Sequence, residues 1–497
     1  MMDESREVAA SFLAHNMKAG DVVAFIGDPD AEWLLLQLGV MRAGGTVALI
    51  PQVQDERTLG RMLAFAGAKF VLATSEADVS RILPVMKTNP GIVQIILQHG
   101  TYRTPKVVRL DLLLQSGPML LAEKPHEMER REAHRTPEDV AVIAFSAGTM
   151  AMPRAFPISQ ARLAQQVADV AEQLGKGPSL VGPRRMDLLD QCVLMWSAFA
   201  TGRELFLGLI PDHDYEWITT ADELADTIFT RSWPVTGPEG LPKGMRGWLF
   251  RRETVKRLKE RMPHLAGAHL GFSVPPAPIV RLFQGRGGRL TWGYGLVEAY
   301  GFCTWEENRT GYGTVLPHMR LAIHDGTLVF DWADGTASWW QSTGDWARTV
   351  GPWIAELEPH GTERGDVPAL SKARQVERDL VAHPWVAAAF VSGPEPLSDL
   401  AMVTLREPVV RAWALTQGLD AEAEWSTLVR TAQIQEPVLA RMRAVGHRFG
   451  KWLDPHIVAE GLSEESGERT ARGEFRRAVV MRRASQHVKK PRPEMGH

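Results

Sequence analysis

Apolar residues along this chain come in short runs separated by amphipathic stretches. The run at 22–26, Val-Val-Ala-Phe-Ile, has no polar position, as in a strand buried on both faces. Residues 6–16 before it carry apolar positions at helical spacing, and Gly20-Asp21 makes the turn between them. After it, Asp30 is placed to cap a helix running through Arg42 and stopped by Gly44-Gly45. The alternation continues with a strand at 47–50, a helix near 55–67, a strand at 70–73, a helix at 77–87 and a strand at 92–97. Another buried strand at 141–145 leads into a turn of small residues, and 160–175 reads as helix. Strands alternating with helices predict a largely parallel sheet covered on both faces.

From about 180 to 290 the periodicity weakens and predicts only mixed α/β structure. Past 311 the runs are shorter and β-like, at 313–317, 319–323 and 327–330, with a turn at Asp325-Gly326. The passage 351–368 is rich in Gly, Pro and charge and reads as a linker. Beyond it come a helix at 375–382, strands at 386–392 and 401–405, and then helix until a basic tail. The expected fold is α/β, a large multi-sheet N-terminal domain over 1–347 and a small, mobile α+β C-terminal domain over 348–480. Residues 481–497 are expected to be a disordered basic tail, a solvated end more than a nucleic-acid patch.

At 497 residues the chain exceeds what one core supports. Hydrophobic content of 44% and charged content of 23% are ordinary for a soluble globular protein, and a net charge of -3 argues against a global nucleic-acid footprint. Only Cys192 and Cys303 occur, without metal-ligand spacing, which excludes a disulfide scaffold or a zinc module. The start, Met1-Met2-Asp3-Glu4-Ser5, does not read as a signal peptide, and the longest apolar run, near 192–200, is too short to span a bilayer. The expected location is the cytoplasm.

Three stretches carry the candidate chemistry. Ser146-Ala147-Gly148-Thr149-Met150-Ala151-Met152-Pro153-Arg154 is a small-residue turn after a strand, ending in a cation. Such a turn offers backbone N–H groups and hydroxyls to an anion, or is a plain strand-to-helix turn. Tyr294-Gly295-Leu296-Val297-Glu298 sets an aromatic beside glycine, four residues before a carboxylate. Ser342-Thr343-Gly344-Asp345 reads as a tight turn closing on an acid, which by itself is an exposed turn residue.

Taken in this order, the three stretches resemble the ATP site of the adenylate-forming superfamily, which includes acyl- and aryl-CoA synthetases, adenylation domains and luciferases. The resemblance runs from about Gly20 to Val480 and extends to Trp33, Ala43-Gly44-Gly45, Val376-Glu377 and His383-Pro384-Trp385-Val386. It implies that Ser146, Gly148 and Thr149 wrap the ATP phosphates, with Arg154 where the family has lysine. It implies that Tyr294, with Gly295, stacks on adenine, that Glu298 and Thr149 hold Mg²⁺, and that Asp345 accepts the ribose hydroxyls. The implied reaction joins a fatty or aryl carboxylic acid to AMP and transfers it to CoA or to the pantetheine of an acyl carrier protein.

The departures are equally specific. Met150 replaces a hydroxyl, Ala151 a glycine and Val297 another hydroxyl, and the Gly-Arg expected near Pro359-His360 is missing. Asp187 stands near the place of the family's pocket histidine. The family's swinging lysine falls on Glu468 when aligned by Ser466-Gly467, or on Glu474 when aligned by Thr470 and the Arg476-Arg477 pair. Either register puts a carboxylate where a cation is expected, although Arg469, Arg472 and Arg476 lie close in sequence. The alternative function is therefore a catalytically degenerate relative, a pseudoenzyme that binds nucleotide or acyl group.

Overall fold

The computed structural model describes residues 2–487 apart from 53–54, 147–152, 236–243, 310, 325–326, 334–340, 351–352, 359–366, 393–398, 452, 464–465 and 470–474. These residues fall into two compact units. The first gathers Met1–Ser146, Pro153–Leu224 and Met262–His360, and the described residues of the second lie in Ala225–Arg261 and Gly361–His497.

The first unit opens with a seven-stranded sheet. Its strand order is Val107–Arg109, Gln94–Leu97, Ala68–Ala73, Val22–Ile26, Thr46–Leu49, Val140–Phe145, Ala155–Ser159. Every neighbouring pair is parallel except the last, which is an antiparallel hairpin. The all-apolar run at 22–26 explains itself here: Val23 and Phe25 enter one core, while Val22, Ala24 and Ile26 enter the core on the opposite face. The helix Ala31–Arg42 starts where Asp30 accepts a hydrogen bond from the Glu32 N–H, and it buries Trp33 edge-on to Phe25 with ring centroids 5.3 Å apart.

An eleven-stranded sheet follows, parallel through Leu205–Phe206, Ser179–Val181, Tyr215–Ile218, Leu265–His269 and Arg289–Trp292, and antiparallel beyond. Its antiparallel part corrects two expectations. Ser342-Thr343-Gly344-Asp345 is not a tight turn but lies inside the strand Gln341–Val350. Val329 pairs with Ser342 and Thr327 with Trp346, so two steps on one strand answer four on the other, and a bulge takes up residues 343–345. The expected linker also shortens, because Trp353–Glu358 pairs with both Gln341–Val350 and Gly313–Val315.

In the second unit, three strands, Val386–Val391, Asp399–Leu405 and Leu453–Ile457, pack on the helices Val367–Val381 and Ala432–Arg448 around Val376, Trp385 and Val410. Leu453–Ile457 falls where helix was expected; it runs parallel to Asp399–Leu405 despite Pro455. The buried Arg406 explains why Ala225–Arg261 belongs to this unit. It donates to the carbonyls of His383, Pro384 and Val386, reaches Asp226 at 2.6 Å and lies 4.7 Å over the Phe229 ring. Residues 481–487, expected within the disordered tail, continue the helix Arg477–His487. Among the described residues, no helix is long and apolar enough to cross a membrane.

Candidate functional site

The strands on either side of the first motif, Val140–Phe145 and Ala155–Ser159, pair antiparallel, so a second strand comes before the helix Gln160–Leu174. Ser146 N–H donates to the Arg154 carbonyl and Arg154 N–H to Ser146 Oγ, both at 3.0 Å, closing the loop directly above the Phe145–Ala155 pair. Ser146 is thus half-buried and fixed at the loop's base, while Arg154 is exposed and its side chain has no partner among the described residues. Gly148, Thr149, Met150 and Ala151 lie outside the described residues.

Tyr294 sits where two backbones nearly touch. A Cβ on Gly293 would lie 2.2 Å from the Thr304 carbonyl oxygen. One on Gly295 would lie 2.1 Å from the Phe272 ring and 2.5 Å from the Gly301 oxygen. Only glycine fits either position. The Tyr294 carbonyl accepts from the N–H groups of Cys303 and Thr304, and its own N–H donates to Thr304 Oγ1. The ring, 5% exposed, packs with Ala299, Cys303 and Met319, and its hydroxyl donates to Asp345 Oδ2 at 2.8 Å. The second and third motifs, 51 residues apart, therefore meet in one buried hydrogen bond. Asp345 is 9% exposed, which sets aside the reading of an exposed turn acid.

Glu298 stands on the short hairpin between the paired strands Gly295–Leu296 and Gly301–Phe302. Val297 and Ala299 on either side are buried, so the pattern inverts at Glu298, which is half-buried and has no hydrogen-bond or ion-pair partner among the described residues. Val297 belongs to the large hydrophobic core.

A buried polar network that sequence reasoning missed supports this hairpin. Gln166, on the helix Gln160–Leu174, donates to the Phe302 carbonyl at 2.9 Å and accepts from the Phe302 N–H at 3.0 Å. His318 lies 2.7 Å from Gln166 Nε2 and 3.0 Å from the Phe302 oxygen, and its Nδ1 is 2.5 Å from Asp169. The legible signal was position: Leu163, Gln166, Asp169, Val170 and Leu174 share the buried face, with polar residues at core positions.

The other sequence candidates lie elsewhere. Asp187 is buried and locked by both ends of the Arg185 guanidinium, at 2.7 and 2.8 Å, and by the Gln52 N–H. Glu468 is folded into its own turn, where Oε2 accepts from the Leu462 N–H at 2.6 Å and from Ser466 Oγ at 2.7 Å. The same oxygen lies 3.6 Å from Arg483. Glu474 and Arg472 lie outside the described residues. Arg477 is held by both oxygens of Glu377, at 2.7 and 2.9 Å, in a pair where burial pushes the Glu377 carboxyl up against the pull of Arg477. Arg469 lies over the Phe475 ring, and Arg476 Nε is buried with no hydrogen-bond partner among the described residues. Burial pushes the thiols of Cys192 and Cys303 up, so neither is a nucleophile near neutral pH.

The family described as AMP-binding enzyme matches residues 1–335. Among curated proteins none matches the sequence. Among solved structures, the anthranilate CoA ligase AuaEII in complex with anthranoyl-AMP superposes with a TM-score of 0.64 at 15% identity, covering 98% of this chain and 92% of that one. The A domain of a carboxylic acid reductase from Segniliparus rugosus, bound to AMP and a co-purified carboxylic acid, gives 0.64 at 13% identity over 98% and 85%. ATP-bound MatB from Rhodopseudomonas palustris gives 0.60 at 15% identity over 98% and 93%. These are likenesses of fold, extending nearly end to end. With the family match over the first 335 residues, they make this chain a member of the AMP-binding enzyme family, within the adenylate-forming superfamily.

Proposed function

We propose that the chain uses ATP to activate a carboxylic acid, fatty or aryl, as its acyl-AMP and then passes the acyl group to a thiol. The acceptor is CoA or the pantetheine of an acyl carrier protein, and the setting is the cytoplasm. The observation that carries the reading is the buried Tyr294–Asp345 hydrogen bond, four residues from a Glu298 with no partner among the described residues, in a chain of this family.

In the first step a carboxylate oxygen of the acid attacks the α-phosphorus, the bridge to the β-phosphorus breaks, and pyrophosphate leaves. In the second, a thiolate attacks the acyl carbon and AMP departs. Asp345 accepts the ribose hydroxyls while Tyr294 fixes its orientation. Because the Tyr294 ring is 5% exposed, adenine meets only the part left open, and holding Asp345 is that residue's first task. Ser146, Gly148, Thr149 and Arg154 receive the phosphates on the hairpin loop, where Arg154 supplies a planar fork in place of an ammonium. Mg²⁺ fits the donors present, since a hard cation takes carboxylate oxygen and Glu298 offers one free of competitors among the described residues. Glu298 with the Thr149 hydroxyl would hold it, and bound Mg²⁺ neutralises charge on the phosphates.

Glu474, aligned with the swinging lysine, is the weak point. Losing one preorganised donor at a developing charge costs about 10²–10³ in rate, and a carboxylate there adds repulsion. A second reading is therefore a nucleotide- or acyl-binding regulatory relative without turnover. It is favoured by Met150, Ala151 and Arg154 standing where the family has a hydroxyl, a glycine and a lysine in the phosphate loop.

Acid-dependent pyrophosphate release and hydroxamate trapping across fatty and aryl acids test the first reading. Turnover with any acid is the expected result. Micromolar MgATP binding by calorimetry without turnover supports the second, and folded protein that binds no nucleotide overturns both.

A further inference from the structure

The strand pair that carries Glu298 is too short to hold itself. Gly295–Leu296 pairs with Gly301–Phe302 over only two residues on each side, and isolated two-stranded pairs are marginal even when longer. Tyr300 at the turn has φ 64°, and Gly301 has φ 141°. What holds this hairpin comes from the helix Gln160–Leu174. Gln166 grips both polar groups of the Phe302 backbone, as a neighbouring strand would. Gly301 has no side chain because a Cβ there would fall 2.6 Å from Gln166 Oε1.

The same helix extends the grip. Asp169 holds His318, which also faces the Phe302 carbonyl and stacks on Trp332 with centroids 5.0 Å apart. Arg162 lies over that Trp332 ring at 4.0 Å. Arg162, Gln166 and Asp169 stand at i, i+4 and i+7, one stripe of the helix. An arrangement in which His318 Nδ1–H donates to Asp169, and Gln166 gives one N–H to Phe302 and the other to His318 Nε2, satisfies every member.

The helix is also the next element after the first motif. The hairpin strand Ala155–Ser159 leaves the loop at Arg154, and Ser159 caps the helix by accepting from the Arg162 N–H. We propose that Gln166, Asp169 and His318 are positioning residues that fix the hairpin carrying Glu298 relative to the strand Ala155–Ser159, so that one helix sets the spacing between Glu298 and Arg154, two groups that would meet the metal–phosphate end of ATP. This rests on the nucleotide-site reading given above and extends it to residues that touch neither nucleotide nor acid.

The test is calorimetric and does not depend on turnover. ATP affinity is measured with Mg²⁺ and with EDTA in the wild type, Glu298→Gln, Gln166→Leu and the milder Asp169→Asn. Gln166→Leu is expected to lose about tenfold of the Mg²⁺-dependent gain, as Glu298→Gln does, while Mg²⁺-free affinity changes less than about threefold. Asp169→Asn is expected to show a smaller loss of the same kind. Equal loss in both conditions, no loss in either, or a wild type without a Mg²⁺-dependent gain overturns the proposal. Pyrophosphate release with an intact Mg²⁺ gain in Gln166→Leu sinks this inference alone. Loss of the gain in a protein that never releases pyrophosphate sinks the adenylation reading alone.

Discussion

Removing one oxygen tests how the second and third motifs are joined. Tyr294→Phe keeps the ring in its pocket and deletes only the hydroxyl that donates to Asp345 Oδ2 at 2.8 Å. Both residues are less than a tenth exposed, so water cannot easily replace the donor. A hydrogen bond to a charged acceptor is worth about 1.5–3 kcal/mol, and the carboxylate left behind also pays for its burial. Tyr294→Phe is therefore expected to lower unfolding free energy by about 1.5–3 kcal/mol. Asp345→Asn keeps the shape but weakens the acceptor. In a double-mutant cycle by urea denaturation, the two changes should couple by more than about 1 kcal/mol. The cycle is then repeated on binding, with ATP and 2′-deoxy-ATP as ligands. If Asp345 accepts the ribose hydroxyls, wild type prefers ATP by about tenfold, Asp345→Asn loses the preference, and Tyr294→Phe reduces it. Coupling below about 0.5 kcal/mol would show that the bond holds nothing. A wild type indifferent to the 2′-hydroxyl would remove Asp345 from the ribose site even if the bond stands.

Two further outcomes follow from geometry and burial. Gly295→Ala places a methyl 2.1 Å from the Phe272 ring and 2.5 Å from the Gly301 oxygen, so overpacking of about 1–3 kcal/mol is expected; an unchanged melting temperature would refute this close approach. His383 is lowered from the ordinary 6.5 to about 3, by burial first and then by the charges of Arg441 and Arg406. Below pH 6.5 the unfolded chain takes up a proton that the folded one refuses, so stability is full above that pH and drains as pH falls toward 3. Between pH 7 and 4.5 this costs roughly 2–3 kcal/mol, read by urea unfolding. His383→Asn should flatten that slope, and an unchanged slope would refute the assignment.

Strands buried on both faces were readable from the sequence because their signal is local. A run such as 22–26 needs no knowledge of its neighbours, and Asp30 announces its helix by residue type alone. The misreadings share the opposite property. Ser342-Thr343-Gly344-Asp345 has the composition of a turn and becomes strand only because residues on both sides pair with Thr327–Trp332 and Trp353–Glu358, leaving the bulge to absorb the glycine. Ala155–Ser159 and Leu453–Ile457 each contain a proline, which argues against a strand until the partner edge is known.

The same distinction separates what was legible in the site from what was not. Tyr294, Glu298 and Asp345 stood out as a spaced set, but nothing in their spacing said that a phenol and a carboxylate 51 residues apart would bond. Gln166 and Asp169 fall on the apolar stripe of their helix with Leu163, Val170 and Leu174, but a polar residue at a core position is informative only once its partner is known. Glu468 is the reverse case. From sequence it is a charge reversal at a catalytic position; in the fold it accepts two hydrogen bonds within its own turn. A carboxylate so engaged holds the turn and carries no information about the α-phosphate. The alignment by Ser466-Gly467 therefore cannot decide whether the chain turns over, and the weight of that question falls on the register through Glu474, where Glu474→Lys with restored pyrophosphate release would locate the lost cation.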